Sequence, residues 1–235
     1  MCAERIAPPE PKAALRKACA ALKVFPLHGV AVLPGTPTPF HIFEPRYKAL
    51  FHDALGGDRI VGVPALLAKD DALRLQPPLR PICGAGLVEA EQRYDDGRYD
   101  VLVRGVARVR LLDELPLSET GYRQFRAEIL EDVWPAPGSG ADAGLRGELE
   151  ALRQIVFELS TRLPAESGAP QLAEAVAQMR DPSAIVDLVA AAAVSDPESR
   201  QKVLEELDVA KRLSYVLEEV AGVVLVLSRG KNPRV

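Results

Sequence analysis

The hydrophobic pattern of the chain changes period once, across residues 135–144 (PAPGSGADAG). Before this stretch, apolar residues come in short runs broken by proline and glycine, the texture of β-strands. After it they recur about every 3.6 residues, the texture of helices. A chain written this way folds as a strand-rich part followed by a helical part, so the fold class expected is α+β. Two modest cores, or one sizeable one, are within reach of 235 residues that are 48% hydrophobic.

The strand-like runs are VFPLHGVAVLPG (24–35), TPTPFHIF (36–43), RIVGVPALLA (59–68), CGAGLVEAEQRY (83–94), RYDVLVRGVARVRLLDEL (98–115) and YRQFRAEILEDVW (122–134). Between two of them, Tyr94-Asp-Asp-Gly97 is a turn signal, because Asp-Gly accepts the positive φ of a tight hairpin. The flanking strands, near 85–93 and 99–111, are expected to pair antiparallel. One helix interrupts the strands. Glu44-Pro45 opens it, Gly56-Gly57 closes it, and Tyr47, Leu50, Phe51, Ala54 and Leu55 line one face. Helices are expected at about 145–162, 170–179, 182–194, 197–206 and 208–228, with Asp181-Pro182 and Asp196-Pro197 as start signals. The domain reading is an arm over 1–21, a strand domain over 22–134, a linker over 135–144, a helical bundle over 145–229 and a tail over 230–235.

Net charge is -4, the pI is near 5.5, and neither segment after residue 23 is net positive. A non-specific nucleic-acid binder neutralises phosphates with a basic face, so this balance counts against that class. Cys2, Cys19 and Cys83 are odd in number and far apart, which suits a reducing cytoplasm. The most apolar run, AGVVLVL at 221–227, falls far short of the roughly 20 residues that span a bilayer. A cytoplasmic protein with no membrane partner is expected.

Enzymatic signatures are few. Phosphate loops, dinucleotide fingerprints, HExxH and GxSxG are absent from the sequence. Gly84-Ala-Gly86 lacks the lysine or helix entry of a phosphate cradle and reads as bulge or turn glycines. His28, His41 and His52 have no partners at zinc-ligand spacing, so neither metal nor cofactor is expected. Glu44 and Arg46 flank Pro45 at a helix start. There the carboxylate is expected to meet free N–H groups and Arg46 to reach a neighbouring strand. Asp95, Asp96 and Asp100 read as a solvated turn. Arg104, Arg108 and Arg110 share strand parity and are expected on one salt-bridged face.

The runs Val24-Phe-Pro-Leu-His-Gly-Val-Ala-Val-Leu-Pro-Gly35 and Pro39-Phe-His-Ile-Phe-Glu-Pro-Arg-Tyr47 resemble the opening of the Lon protease N-terminal domain family. The resemblance continues through Ile82-Cys-Gly-Ala-Gly86, the strand holding Arg104-Gly-Val-Ala-Arg108-Val, Asp181-Pro182, and Lys202 to Leu213. It covers about residues 22 to 228, and the arm before Leu22 has no counterpart. It implies a PUA-like β pseudobarrel with one packed helix, followed by a C-terminal helical bundle. Pro34, Gly35, Glu44, Pro45 and Arg46 fall in the motif as structural residues.

The resemblance also implies a non-catalytic module, separate from the ATPase and peptidase parts of Lon, that engages unfolded or tagged polypeptide as an adaptor or holdase. Its partners would be protein clients and a protease or chaperone. Phe40, His41, Phe43 and Tyr47 are the expected peptide contacts, because aromatics near a rim give large contact area. For Phe43 and Tyr47 a place in the core beneath the helix is the competing reading. RNA binding, by analogy with PUA-like folds, is the alternative function. The apolar last helix leaves self-association open.

Overall fold

A computed structural model describes residues 10–67 and 76–230 of the protein. The chain divides into two compact units, one up to Leu130 and the other from Glu131 onward. The expected segment 59–68 and the expected arm and tail lie partly outside the described residues.

The first unit opens with α1 (Pro11–Ala18), where Glu10 caps the first turn by accepting from the Ala13 N–H. This corrects the expected arm, because Ala14, Leu15 and Ala18 are buried. Leu15 packs in a cluster with Leu22, Val24, Ile60, Val109 and Phe125. The amphipathic stretch is only two turns long in an Ala/Pro/Lys-rich context, too short for periodicity to announce.

Six strands follow, with one helix among them: β1 (Leu22–Val24), β2 (Pro37–Ile42), α2 (Pro45–Leu55), β3 (Ile60–Val63), β4 (Ile82–Arg93), β5 (Tyr99–Glu114) and β6 (Arg123–Leu130). β1 runs parallel to β3, and every other pair is antiparallel. β6 pairs with both β5 and β1, so the order β1-β3-β4-β5-β6 closes into a ring. β5 is long enough to serve two partners. Its second half pairs with β6 inside the ring, and its first half carries β2 outside it, from Pro37↔Arg104 to Ile42↔Tyr99. The Tyr94–Gly97 turn joins β4 to β5, with Gly97 at φ 79° and its N–H on the Tyr94 carbonyl.

Beneath α2, Tyr47, Leu50 and Phe51 pack with Ile42, Val101 and Val103. Phe25 meets Phe40, Tyr47 and Phe51 edge to face, at 5.5, 4.7 and 5.4 Å between centroids. Of the glycines read as bulge or turn residues, Gly86 adjoins the register shift in the β4–β5 ladder, whereas Gly84, like Gly105, makes room for a crossing backbone. A Cβ on Gly84 would sit 1.8 Å from the Val32 carbonyl oxygen, and one on Gly105 would sit 2.1 Å from that of Leu33. The segment around Val32 to Pro34 therefore crosses β4 and β5 at backbone contact. Pro34 bridges Gly105 and the Gly35 N–H donates to the Gly105 carbonyl, which is the structural part these two motif residues play.

The second unit is α3 (Gly140–Arg162), a 3-10 turn (Ala165–Ser167), α4 (Ala169–Gln178), α5 (Pro182–Ala193), α6 (Pro197–Glu205) and α7 (Val209–Gly230). Asp181 and Asp196 cap α5 and α6 by accepting from the Ser183 and Ser199 N–H groups. α3 begins inside the expected linker, because the Ser139 hydroxyl accepts from the Asp142 N–H and starts the helix early. The unit's largest fully buried side chain is Arg212. Its guanidinium donates to Asp132 and to the Glu206 carbonyl through Nη1, at 2.9 and 2.8 Å, and to the Ser183 hydroxyl through Nη2 at 2.6 Å. Asp187, also buried, lies 3.4 Å from Nε. α5, α7 and the start of the unit are thus joined through one cation.

Candidate functional site

Side chains alternate along β2. Ile42 is buried, Phe40 is half-buried against the core, and Pro37, Pro39 and His41 face outward. On β5, Tyr99, Val101 and Val103 point inward, leaving Asp100, Leu102 and Arg104 on the outer face. The register sets His41 and Gln92 on either side of Asp100, and Pro39 and Ala90 on either side of Leu102. These residues line an open concavity of about 590 Å³ on the outside of the three-strand sheet β2-β5-β4.

Three rings gather at one end of this face. Phe43, just past β2, is 62% exposed, and its ring lies 6.2 Å from that of His41 in a stacked arrangement. Tyr94 approaches His41 edge-on at 6.4 Å. Asp100 anchors the group, with its Oδ1 2.6 Å from His41 Nδ1 and its Oδ2 accepting from the Tyr94 hydroxyl. The hydrogen bonds from Tyr94 and then His41 hold the Asp100 carboxyl below the usual carboxylate range, and the same contact raises the Tyr94 phenol. Arg98 lies over the Tyr94 ring at 5.6 Å while pairing with Asp96.

The edge of this sheet carries a second constraint. The Gly105 N–H bonds to the Thr36 carbonyl, so even-numbered residues of this strand direct their backbone groups to β5. Odd-numbered ones, Pro37, Pro39 and His41, turn toward the open edge, and the two prolines bring no N–H. The edge offers carbonyl acceptors with His41 as its one donor among the three, a poor template for an added strand.

The four expected contact residues separate. His41 and Phe43 lie on or beside the outer face of β2, Phe40 is half-buried against the core, and Tyr47, 8% exposed, belongs to the core. Tyr94 and Asp100 are additions; the sequence signal for Tyr94 was its place at the hairpin end, opposite the FHIF run. Glu44 and Arg46 depart from expectation. Glu44 makes no capping bond and instead accepts from Arg46 Nε at 3.1 Å, while Arg46 also covers the Tyr47 ring at 4.7 Å. With proline at the next position removing one free N–H, the neighbouring guanidinium is the stronger partner.

The arginine strip does not form one surface. Arg104 pairs with Glu89, Arg110 pairs with Glu128, and Arg108 is only 3% exposed. A bulge between Ala85 and Gly86 in the β4–β5 ladder shifts the parity between Arg104 and the other two. Among the described residues, no group of three or more His, Cys, Asp and Glu side chains is placed to hold a metal ion. No described helix is long and apolar enough to cross a membrane.

Residues 21–222 match the family model described as the ATP-dependent protease La (LON) substrate-binding domain. A Lon protease of Roseiflexus castenholzii is 33% identical over 90% of this chain, and one of Paraburkholderia phytofirmans is 30% identical over 88%. In both cases the match covers 25% of the relative, so the chain spans about a quarter of the length of these curated relatives. Among solved structures, the N-terminal domain of Mycobacterium avium complex Lon protease superposes with a TM-score of 0.65 at 17% identity, over 86% of this chain and 98% of that one. A Lon N-terminal domain protein from Xanthomonas campestris gives 0.56 at 20% identity, over 84% and 97%. These two likenesses establish the fold.

Proposed function

Because this chain belongs to the Lon substrate-binding domain family, we propose that it recognises unfolded or tagged polypeptide through the outer face of β2-β5-β4, with Phe43, His41 and Tyr94 as the primary contacts. The exposed aromatic cluster carries the reading. Phe43 keeps most of its surface in water, beside two further rings locked in place by Asp100, so an apolar client side chain gains contact at small ordering cost. The proline-marked edge of β2 favours capture by side chains over strand addition, unlike a β-augmentation site.

In this reading the chain is an adaptor or holdase that works beside a protease or chaperone and does no chemistry itself. Its free cysteines, Cys19 and Cys83, suit a cytoplasmic setting.

The test is fluorescence anisotropy of a labelled, permanently unfolded polypeptide titrated with the protein, in parallel with labelled RNA at two salt concentrations. Saturable polypeptide binding that weakens about tenfold in Phe43→Ala, a loss of about 1.4 kcal/mol, supports the reading. Binding to RNA alone, relieved by salt, or polypeptide binding indifferent to Phe43 and Tyr94, overturns it.

A further inference from the structure

The outer face of β2-β5-β4 is sorted into rows. His41, Asp100 and Gln92 lie side by side across the three strands, and Pro39, Leu102 and Ala90 form the next row. The first row is polar and the second apolar, and a step of two strand residues, about 6.6 Å, separates them. Phe43 stands two residues beyond His41, its exposed ring stacked on the imidazole.

The polar end of this face accepts hydrogen bonds far better than it donates them. Asp100 is ionised and bonds to two neutral groups, the Tyr94 phenol and the His41 ring, with about half of its side chain open to water. A carboxylate only accepts, so the proton between it and His41 sits on Nδ1, and the neutral imidazole presents Nε2 as a lone pair. Along the open edge of β2, Pro37 and Pro39 add carbonyls without N–H groups. The cations at the two ends of the face are already occupied. Arg104 is held by Glu89 and the Gly35 carbonyl, and Arg98 by Asp96.

Building on the reading that this face binds clients, we propose that it selects extended segments in which an arginine stands two residues from an apolar side chain. An extended chain presents every second residue to one side, which matches the spacing of the two rows. The arginine stem lies along the Phe43 ring while its guanidinium donates to Asp100 and Nε2, and the apolar side chain settles on Leu102 between Pro39 and Ala90. Lysine offers its donors from a single point and fits this spread of acceptors less well. A client carboxylate at the same place meets Asp100 as a like charge.

The experiment is fluorescence anisotropy of labelled unfolded peptides that are identical except for one residue, holding Arg-Ser-Leu, Lys-Ser-Leu, Gln-Ser-Leu or Glu-Ser-Leu. The arginine peptide is expected to bind about tenfold more tightly than the glutamine peptide, with lysine between them and glutamate weakest. This advantage should shrink as salt is raised, and it should fall to within about twofold in Asp100→Asn, while the glutamine peptide binds that variant as it binds the parent. Saturable binding that ignores the varied residue, or an arginine preference unchanged by salt and by Asp100→Asn, overturns this proposal and leaves client binding standing. Failure of all four peptides to bind overturns both.

Discussion

Arg212 Nη1 lies 2.9 Å from Asp132 Oδ1, eighty positions away in the chain, with the guanidinium wholly shielded from water. Removing one member of such a network leaves a buried charge poorly compensated. Arg212→Ala is expected to cost about 3–5 kcal/mol, because Asp187 stays buried beside the void. Urea unfolding monitored by circular dichroism measures this. Asp132→Asn should cost less, since Asp132 is partly exposed and Arg212 keeps the Glu206 carbonyl and the Ser183 hydroxyl.

Neighbouring aromatics divide into two kinds of effect. Phe43→Ala is expected to change stability by less than about 0.5 kcal/mol, as surface substitutions do. Tyr47→Ala removes a ring packed on Phe25 and should cost about 3 kcal/mol or more. Thermal melts of the two variants, run beside the anisotropy titration, separate binding loss from unfolding.

The prolines of β2 make a negative prediction concrete. Pro37→Thr together with Pro39→Thr supplies two N–H donors on the open edge while keeping strand propensity. Static light scattering during storage should show faster self-association than in the parent chain, with the secondary structure retained.

Alkaline stability is expected to depend on Tyr122. Burial, then its hydrogen bond to Asp53, pushes this phenol up to about 12 from an ordinary value of 10.0. A raised folded-state value means that the stabilisation is complete below pH 10 and is lost as pH rises from there through 12, at up to about 1.4 kcal/mol per unit. Tyr122→Phe should be less stable at neutral pH and show a flatter decline over that window, read from urea midpoints at successive pH values.

The architecture was legible wherever local physics decides it. Asp181-Pro182, Asp196-Pro197 and the Asp96-Gly97 turn each solve a backbone problem within a few residues, and each sits where the pattern placed it. What stayed hidden depended on distant partners. No spacing rule links Asp132 to Arg212, or tells that Val32 and Leu33 lie against Gly84 and Gly105. The candidate face was half legible. The FHIF run offered Phe40, His41 and Phe43 together, but only the structure separates Phe40 and Tyr47, which pack on the core, from His41 and Phe43, and sets Asp100 and Tyr94 beside the latter pair. Glu44 and Arg46 misled because a cap and an ion pair use the same residue types.

The ring of strands closes through β6, the last strand of the first unit, which pairs with β1, the first. As the chain leaves the ribosome, β1 can meet β3 early, but its second neighbour, β6, exists only once Leu130 has emerged. α2 and the β4–β5 hairpin can form earlier from contacts close in sequence. Closure is then a single late event with a large loop-entropy cost, so this unit folds after its own synthesis rather than during it. Until that moment the free edges of β1 and of the second half of β5 wait for β6.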